Sequence, residues 1–115
     1  MTSVALFFRL KAKPGRESDV EKFLTSALPL VHDESSTAAW FAIRFDSSTY
    51  GIFEAFDDES GRQAHLTGKV AQALFKQAPD LFVQEPKFEE VDILADKLPN
   101  TEAPSKDLPP HAYAP

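Results

Sequence analysis

Cysteine is absent from this chain, which excludes disulfides, thiolate metal sites, iron–sulfur clusters and cysteine nucleophiles. That absence suits a reducing compartment, so a cytoplasmic location is expected. Positive charge is in short supply: 12 Lys and Arg face 18 Asp and Glu, for a formal net charge of −6. With no basic run, neither nucleic acid nor an anionic membrane surface is expected as a partner. No apolar run is long enough to span a bilayer, and the first residues show no basic region leading into a long apolar stretch, so no secretory leader is expected. Glycine is scarce as well. Gly15, Gly51, Gly61 and Gly68 are scattered, which leaves no phosphate-cradling loop. His32 stands beside Asp33 and Glu34, but adjacent side chains in a loop do not converge, so no metal site is expected. No serine sits in a nucleophile elbow.

What remains is a chain of 115 residues, 43% hydrophobic, enough for one domain with a real core. Ten phenylalanines against two tyrosines and one tryptophan point to a greasy interior with few polar handles. Val4 to Ala12 alternates with period two and predicts a strand, with Val4, Leu6, Phe8 and Leu10 on one face. Lys13-Pro14-Gly15 marks a turn. Val20, Phe23, Leu24, Ala27, Leu28 and Val31 then follow helical spacing, with a kink or restarted turn at Pro29. Ala39 to Phe45 and Tyr50 to Phe56 predict two strands joined as an antiparallel hairpin. Asp57, Asp58 and Ser60 offer caps for a helix from about Glu59, broken at Gly68 and resumed from Lys69 until Pro79 stops it. Lys87 to Ala95 predicts the last strand.

A four-residue hairpin loop puts Trp40, Ala42 and Arg44 on one face with Gly51, Phe53 and Ala55; a one-residue bulge reverses this. The order strand, helix, strand, strand, helix, strand is the ferredoxin-like βαββαβ pattern, an α+β fold whose antiparallel sheet carries both helices on one face. The second face keeps Phe7 and either Trp40 with Phe53 or Phe41 with Ile52. A second copy packed sheet to sheet is the expected cover, giving a homodimer. The domain spans 1–97. Residues 98–115 hold five of the nine prolines and read as an extended C-terminal tail.

His65, in Gln63-Ala64-His65-Leu66, is the first candidate for acid–base chemistry, set against a helix histidine bonded to a backbone carbonyl. Trp40 and Arg44 share a strand face and would suit a planar, partly anionic aromatic ligand, set against a core tryptophan and an ion-paired arginine. Glu54 lies mid-strand, where a carboxylate needs a partner; the choices are a salt bridge to Arg9, Arg44 or Arg62, or a base facing a pocket.

The run Tyr50-Gly51-Ile52-Phe53-Glu54-Ala55-Phe56, followed by Asp58-Glu59 and Ala64-His65-Leu66, resembles the antibiotic biosynthesis monooxygenase family. Phe8 to Gly15 and Val91 to Pro99 fit the same resemblance, which covers about residues 3–99. It implies a dimeric α/β barrel with a pocket between sheet and helices. It also implies oxidation of a phenolic or quinol-type substrate by O₂ without metal or flavin, the substrate supplying the electrons. A Phe-rich cavity with a few polar groups suits such aromatic molecules. By the resemblance, His65 and Glu54 match the family's histidine and acidic position; in the monooxygenase reading His65 would be an acid, base or donor, and Arg44 would hold a developing oxyanion. Trp40, Phe53, Phe7 and Glu54 are the residues expected to contact the substrate. No cofactor is implied. Members often carry another histidine soon after the first; Gly68, Lys69 and Val70 occupy that stretch here. The first strand also lacks the asparagine of the haem-degrading branch, which argues against haem degradation. The rival is a non-catalytic barrel that binds a ligand or serves in stress. A third reading is an isomerase, which needs His65 and Glu54 to converge.

Overall fold

Alternation of apolar and polar residues builds β1 (Val4–Lys11). In the computed structural model, which describes residues 1–99, Leu6, Phe8 and Leu10 are buried while Arg9 and Lys11 point to the opposite, exposed side. The chain reverses at Lys13-Pro14-Gly15, where the Arg16 N–H donates to the Lys13 carbonyl at 2.9 Å and Gly15 adopts φ +83°. Proline presets the first central position of this turn, and glycine takes the second without steric cost. Helix α1 (Glu17–Ser26) follows, and α2 (Leu28–His32) restarts at once with Pro29 in its first turn. A missing N–H costs nothing there, so the proline resets the helix rather than breaking it.

The rest of the chain supplies β2 (Thr37–Arg44), β3 (Thr49–Phe56), α3 (Glu59–Leu66), α4 (Lys69–Leu81) and β4 (Lys87–Asp92). Asp58 caps α3, its carboxylate accepting the Gly61 N–H at 3.0 Å. Pro79 does not stop α4. It sits on the exposed side, and buried Ala78 and Leu81 hold the last turn to the core around it. The final strand is shorter than its apolar pattern. After Asp92 the chain turns toward Thr2, whose backbone N–H and hydroxyl both donate to the Asp96 carboxylate. The sheet order is β2-β3-β1-β4 with every neighbouring pair antiparallel. Helix residues Val20, Leu24, Leu74 and Leu81 pack with Leu6, Phe8, Ile52 and Phe56 in one core on one side of the sheet. This is the ferredoxin-like α+β architecture. Among the described residues no helix is long and apolar enough to cross a membrane. The predicted tail lies, from residue 100 onward, outside the described residues.

The hairpin register departs from the four-residue loop. The Thr49 carbonyl accepts the Phe45 N–H at 2.8 Å and the Asp46 N–H at 3.4 Å, so two residues oppose one. Asp46 fixes the bulge by accepting the Ser48 and Thr49 N–H groups at 2.9 and 2.8 Å. Arg44, not Phe45, therefore opposes Tyr50, and Trp40 opposes Glu54. Trp40, Ala42 and Arg44 share the helix-side face with Tyr50, Ile52 and Glu54. Neither predicted pairing for the open face occurs: Phe41 stands opposite Phe53, and Trp40 and Ile52 are on the helix side.

The open face carries Phe7, Phe41, Ile43, Phe45 and Phe53, with Phe41 53% and Phe45 47% exposed. The Phe45 ring lies over Gly51, where a Cβ would come within 3.1 Å of it. The Arg9 guanidinium rests 4.3 Å from the Phe45 ring centre and 5.5 Å from that of Phe7. Here an arginine is satisfied by aromatic faces rather than by a carboxylate.

Candidate active site

Glu54 shares the helix-side face of β3 with Ile52 and Phe56, and the bulged register sets Trp40 opposite it. Helix α3 brings His65 onto them, and the link from α2 to β2 brings Glu34. The imidazole is held between two carboxylates. Its Nδ1 lies 2.6 Å from Glu34 Oε1 and its Nε2 lies 2.8 Å from Glu54 Oε2. The Trp40 Nε1–H donates to Glu54 Oε1 at 3.1 Å, and the Thr37 hydroxyl donates to Glu34 Oε1 at 2.9 Å. Trp40, Glu54, His65 and Glu34 thus form one continuous chain of polar contacts, with the Phe56 ring packed 5.5 Å from the imidazole.

Burial decides how this chain behaves. Glu54 is 1% exposed and His65 3%, so an isolated charge on either would be costly. The Nε2 contact is an ion-pair contact that departs from the N–H direction, and among the described residues Glu54 Oε2 has no well-directed hydrogen bond. Coulomb attraction in a dry setting carries it. For His65, burial is the strongest single influence and pulls the pKa down. The close contact and charge of Glu54, then the hydrogen bond and charge of Glu34, together outweigh it, and the net shift is upward. The charged imidazolium is therefore favoured between its two carboxylates.

A cleft of about 370 Å³ opens beside this chain, lined by Leu30, Glu34, Thr37, Ala64, His65 and Lys69 among others. Gly68 lies against Glu34: a Cβ there would sit 3.0 Å from Oε2. None of the phenylalanines lines this cleft, so the Phe-rich cavity expected from composition is not what surrounds His65. The phenylalanines instead fill the core and the open face. Among the described residues no group of His, Cys, Asp or Glu side chains is arranged to hold a metal ion.

Comparison with solved structures places the chain beside a protein of unknown function from Nitrosomonas europaea, NE2512. The two are 54% identical over 88% of this chain and 98% of that one, with a TM-score of 0.85. The chain belongs to the NE2512 family. No family model and no curated protein matches it. Candidate antibiotic biosynthesis monooxygenases share the fold at much lower identity. One from Caulobacter crescentus CB15 is 15% identical over 82% of this chain and 92% of its own, with a TM-score of 0.71. Another, from Bordetella bronchiseptica, is 15% identical over 83% of this chain and all of its own, with a TM-score of 0.68.

In this member of the NE2512 family the residues singled out from sequence fall into three places. His65, Glu54 and Trp40 come together. Arg44 shares their sheet face but lies four residues beyond Trp40, roughly 13 Å along the strand. There it pairs with Glu21 at 3.3 Å in a separate groove. Phe7 and Phe53 are on the opposite face of the sheet. Glu54 pairs with none of the three arginines considered for it. Arg9 stacks on phenylalanines, Arg44 takes Glu21, and Arg62 binds Glu59, Glu90 and the Ala5 carbonyl. Glu34 was missed. It sits in a polar connection that reads as solvated loop, and its imidazole partner is 31 residues away. The available signals were local: Thr37 three residues on to hold the carboxylate, and Gly68 three residues past His65 to leave it room.

Proposed function

We propose that this protein is a cofactor-independent monooxygenase that uses O₂ to oxidise a small quinol-type aromatic substrate, with the Glu34–His65–Glu54 chain handling the substrate's proton. The observation that carries this reading is an imidazole wedged between two carboxylates at the wall of an open cleft. Leu30 and Ala64 offer apolar contact to a ring, and the polar remainder favours a ring bearing several hydroxyls. For a phenol with hydrogen at the para carbon, O₂ gives the quinone and water. One oxygen atom becomes the new carbonyl, and the other leaves with the phenolic and ring hydrogens. The resemblance at the hairpin and α3 and the fold shared with candidate monooxygenases support the same assignment. We further propose that two copies pack through their open faces, which would cover Phe41, Ile43 and Phe45.

Oxygen consumption with dihydroxynaphthalenes, without added metal or flavin, tests the reading. It should fall by roughly a hundredfold or more in His65→Ala. An inert wild-type protein across a panel of naphthols and quinols defeats the proposal and favours the non-catalytic barrel. A second reading has its own observation: His65 and Glu54 stand within 2.8 Å, the paired acid and base an isomerase requires. Exchange of substrate hydrogen with D₂O under anaerobic conditions would favour it.

A further inference from the structure

We infer that Glu34 is the group that meets a substrate hydroxyl, its Oε2 accepting the O–H, while His65 stands behind it as a positioning residue. This deepens the oxidative reading of the cleft and rests on it for the identity of the reaction. Both ring nitrogens of His65 are already engaged by carboxylates, at 2.6 and 2.8 Å, and its side chain is 2% exposed. Glu54 is more deeply buried still. Of the three ionisable groups in the chain, Glu34 alone reaches the cleft with accessible surface, at 18% of its side chain. Its Oε1 is doubly occupied, by the imidazole and by the Thr37 hydroxyl. Among the described residues Oε2 accepts no hydrogen bond and lies against Gly68, the one residue type that leaves space beside it. A carboxylate oxygen fixed by its twin and open to a cleft is built to receive a hydrogen-bond donor.

The chemistry follows. A carboxylate is too weak a base to strip a resting phenol. Once the ring passes an electron to O₂, its hydroxyl becomes strongly acidic. The proton moves to Glu34 Oε2, the electron resides on superoxide, and a neutral phenoxyl radical remains. Asp33 and Lys69 are the other ionisable groups lining the cleft, and neither contacts the imidazole.

The probe is 4-nitrophenol, whose neutral and ionised forms differ in colour. A carboxylate acceptor prefers the neutral form, so the bound probe should ionise roughly one pH unit above the free one in the wild-type protein. Glu34→Gln should abolish that displacement in protein whose circular dichroism shows it still folded. Gly68→Ala, which crowds Oε2 without removing charge, should weaken binding roughly tenfold and keep the preference for the neutral form. His65→Gln should slow oxygen uptake yet keep that preference. Tighter binding of the phenolate, an unchanged displacement in Glu34→Gln, or no binding at all overturns the assignment. Oxygen uptake without the neutral-form preference sinks this inference alone. The preference without oxygen uptake sinks the oxidative reading and leaves the hydroxyl acceptor in place.

Discussion

Two carboxylate networks occupy the same face of one hairpin, and they differ chiefly in water. Near the N-terminal end of β2, Glu54 is 1% exposed and joined to His65 and Trp40. Near the loop end, Glu21 reaches from α1 to the Tyr50 hydroxyl at 2.8 Å and to Arg44 at 3.3 Å, with nearly half its side chain in solvent. The groups are alike: a carboxylate, an aromatic donor and a cation. In the first network each partner is needed to make the others affordable. In the second, water can replace any of them, so the contacts shape the surface without being required. Tyr50 is the exception in the outer network. Burial, then the Glu21 hydrogen bond and charge, push its hydroxyl pKa up to about 12, so it stays a donor across the ordinary pH range.

Removing Glu54 should separate the two networks most sharply. Glu54→Leu leaves the indole N–H and the imidazole without their acceptor in the core, and we expect a loss of about 3–5 kcal/mol in urea unfolding. A loss below 1 kcal/mol would show that the inner network is no more demanding than the outer. Next in size is the pH response. The folded pKa of His65 lies above its unfolded value, so its stabilising contribution is complete below about 6.5 and drains away as pH rises through the folded value. Melting temperature should fall across that interval in the wild type, and His65→Gln should flatten the slope. Tyr50→Phe should cost about 1 kcal/mol, measured the same way, because the Glu21 carboxylate loses one hydrogen-bond donor. Arg44→Ala should leave the melting temperature essentially unchanged, since its partner is solvated and salt-screened.

The contrast also explains what could be read in advance. The alternation in β1, the turn at Pro14-Gly15 and the restart at Pro29 were legible because each depends on neighbours in sequence. The hairpin register was not. Asp46 to Thr49 fits either a plain four-residue loop or a bulged one, and only the hydrogen bonds of the Asp46 carboxylate decide. That single residue of offset chooses whether Trp40 shares the face of Glu54 or lies on the opposite one. His65, Trp40 and Glu54 could be nominated singly from their residue types. Their assembly could not, because it needs the register, the docking of α3 and Glu34 from a distant connection. The separation of Arg44 from the His65 cleft was hidden for the same reason: a shared strand face says nothing about how far along the strand a groove closes.

Trp40 is the sole tryptophan of the chain, and its indole N–H ends on Glu54. Every photon of indole emission therefore originates one hydrogen bond from the buried carboxylate–imidazole chain. Occupancy of the cleft, or a change of charge on the imidazole, should register as a colour shift in unlabelled protein, giving the molecule a built-in optical gauge.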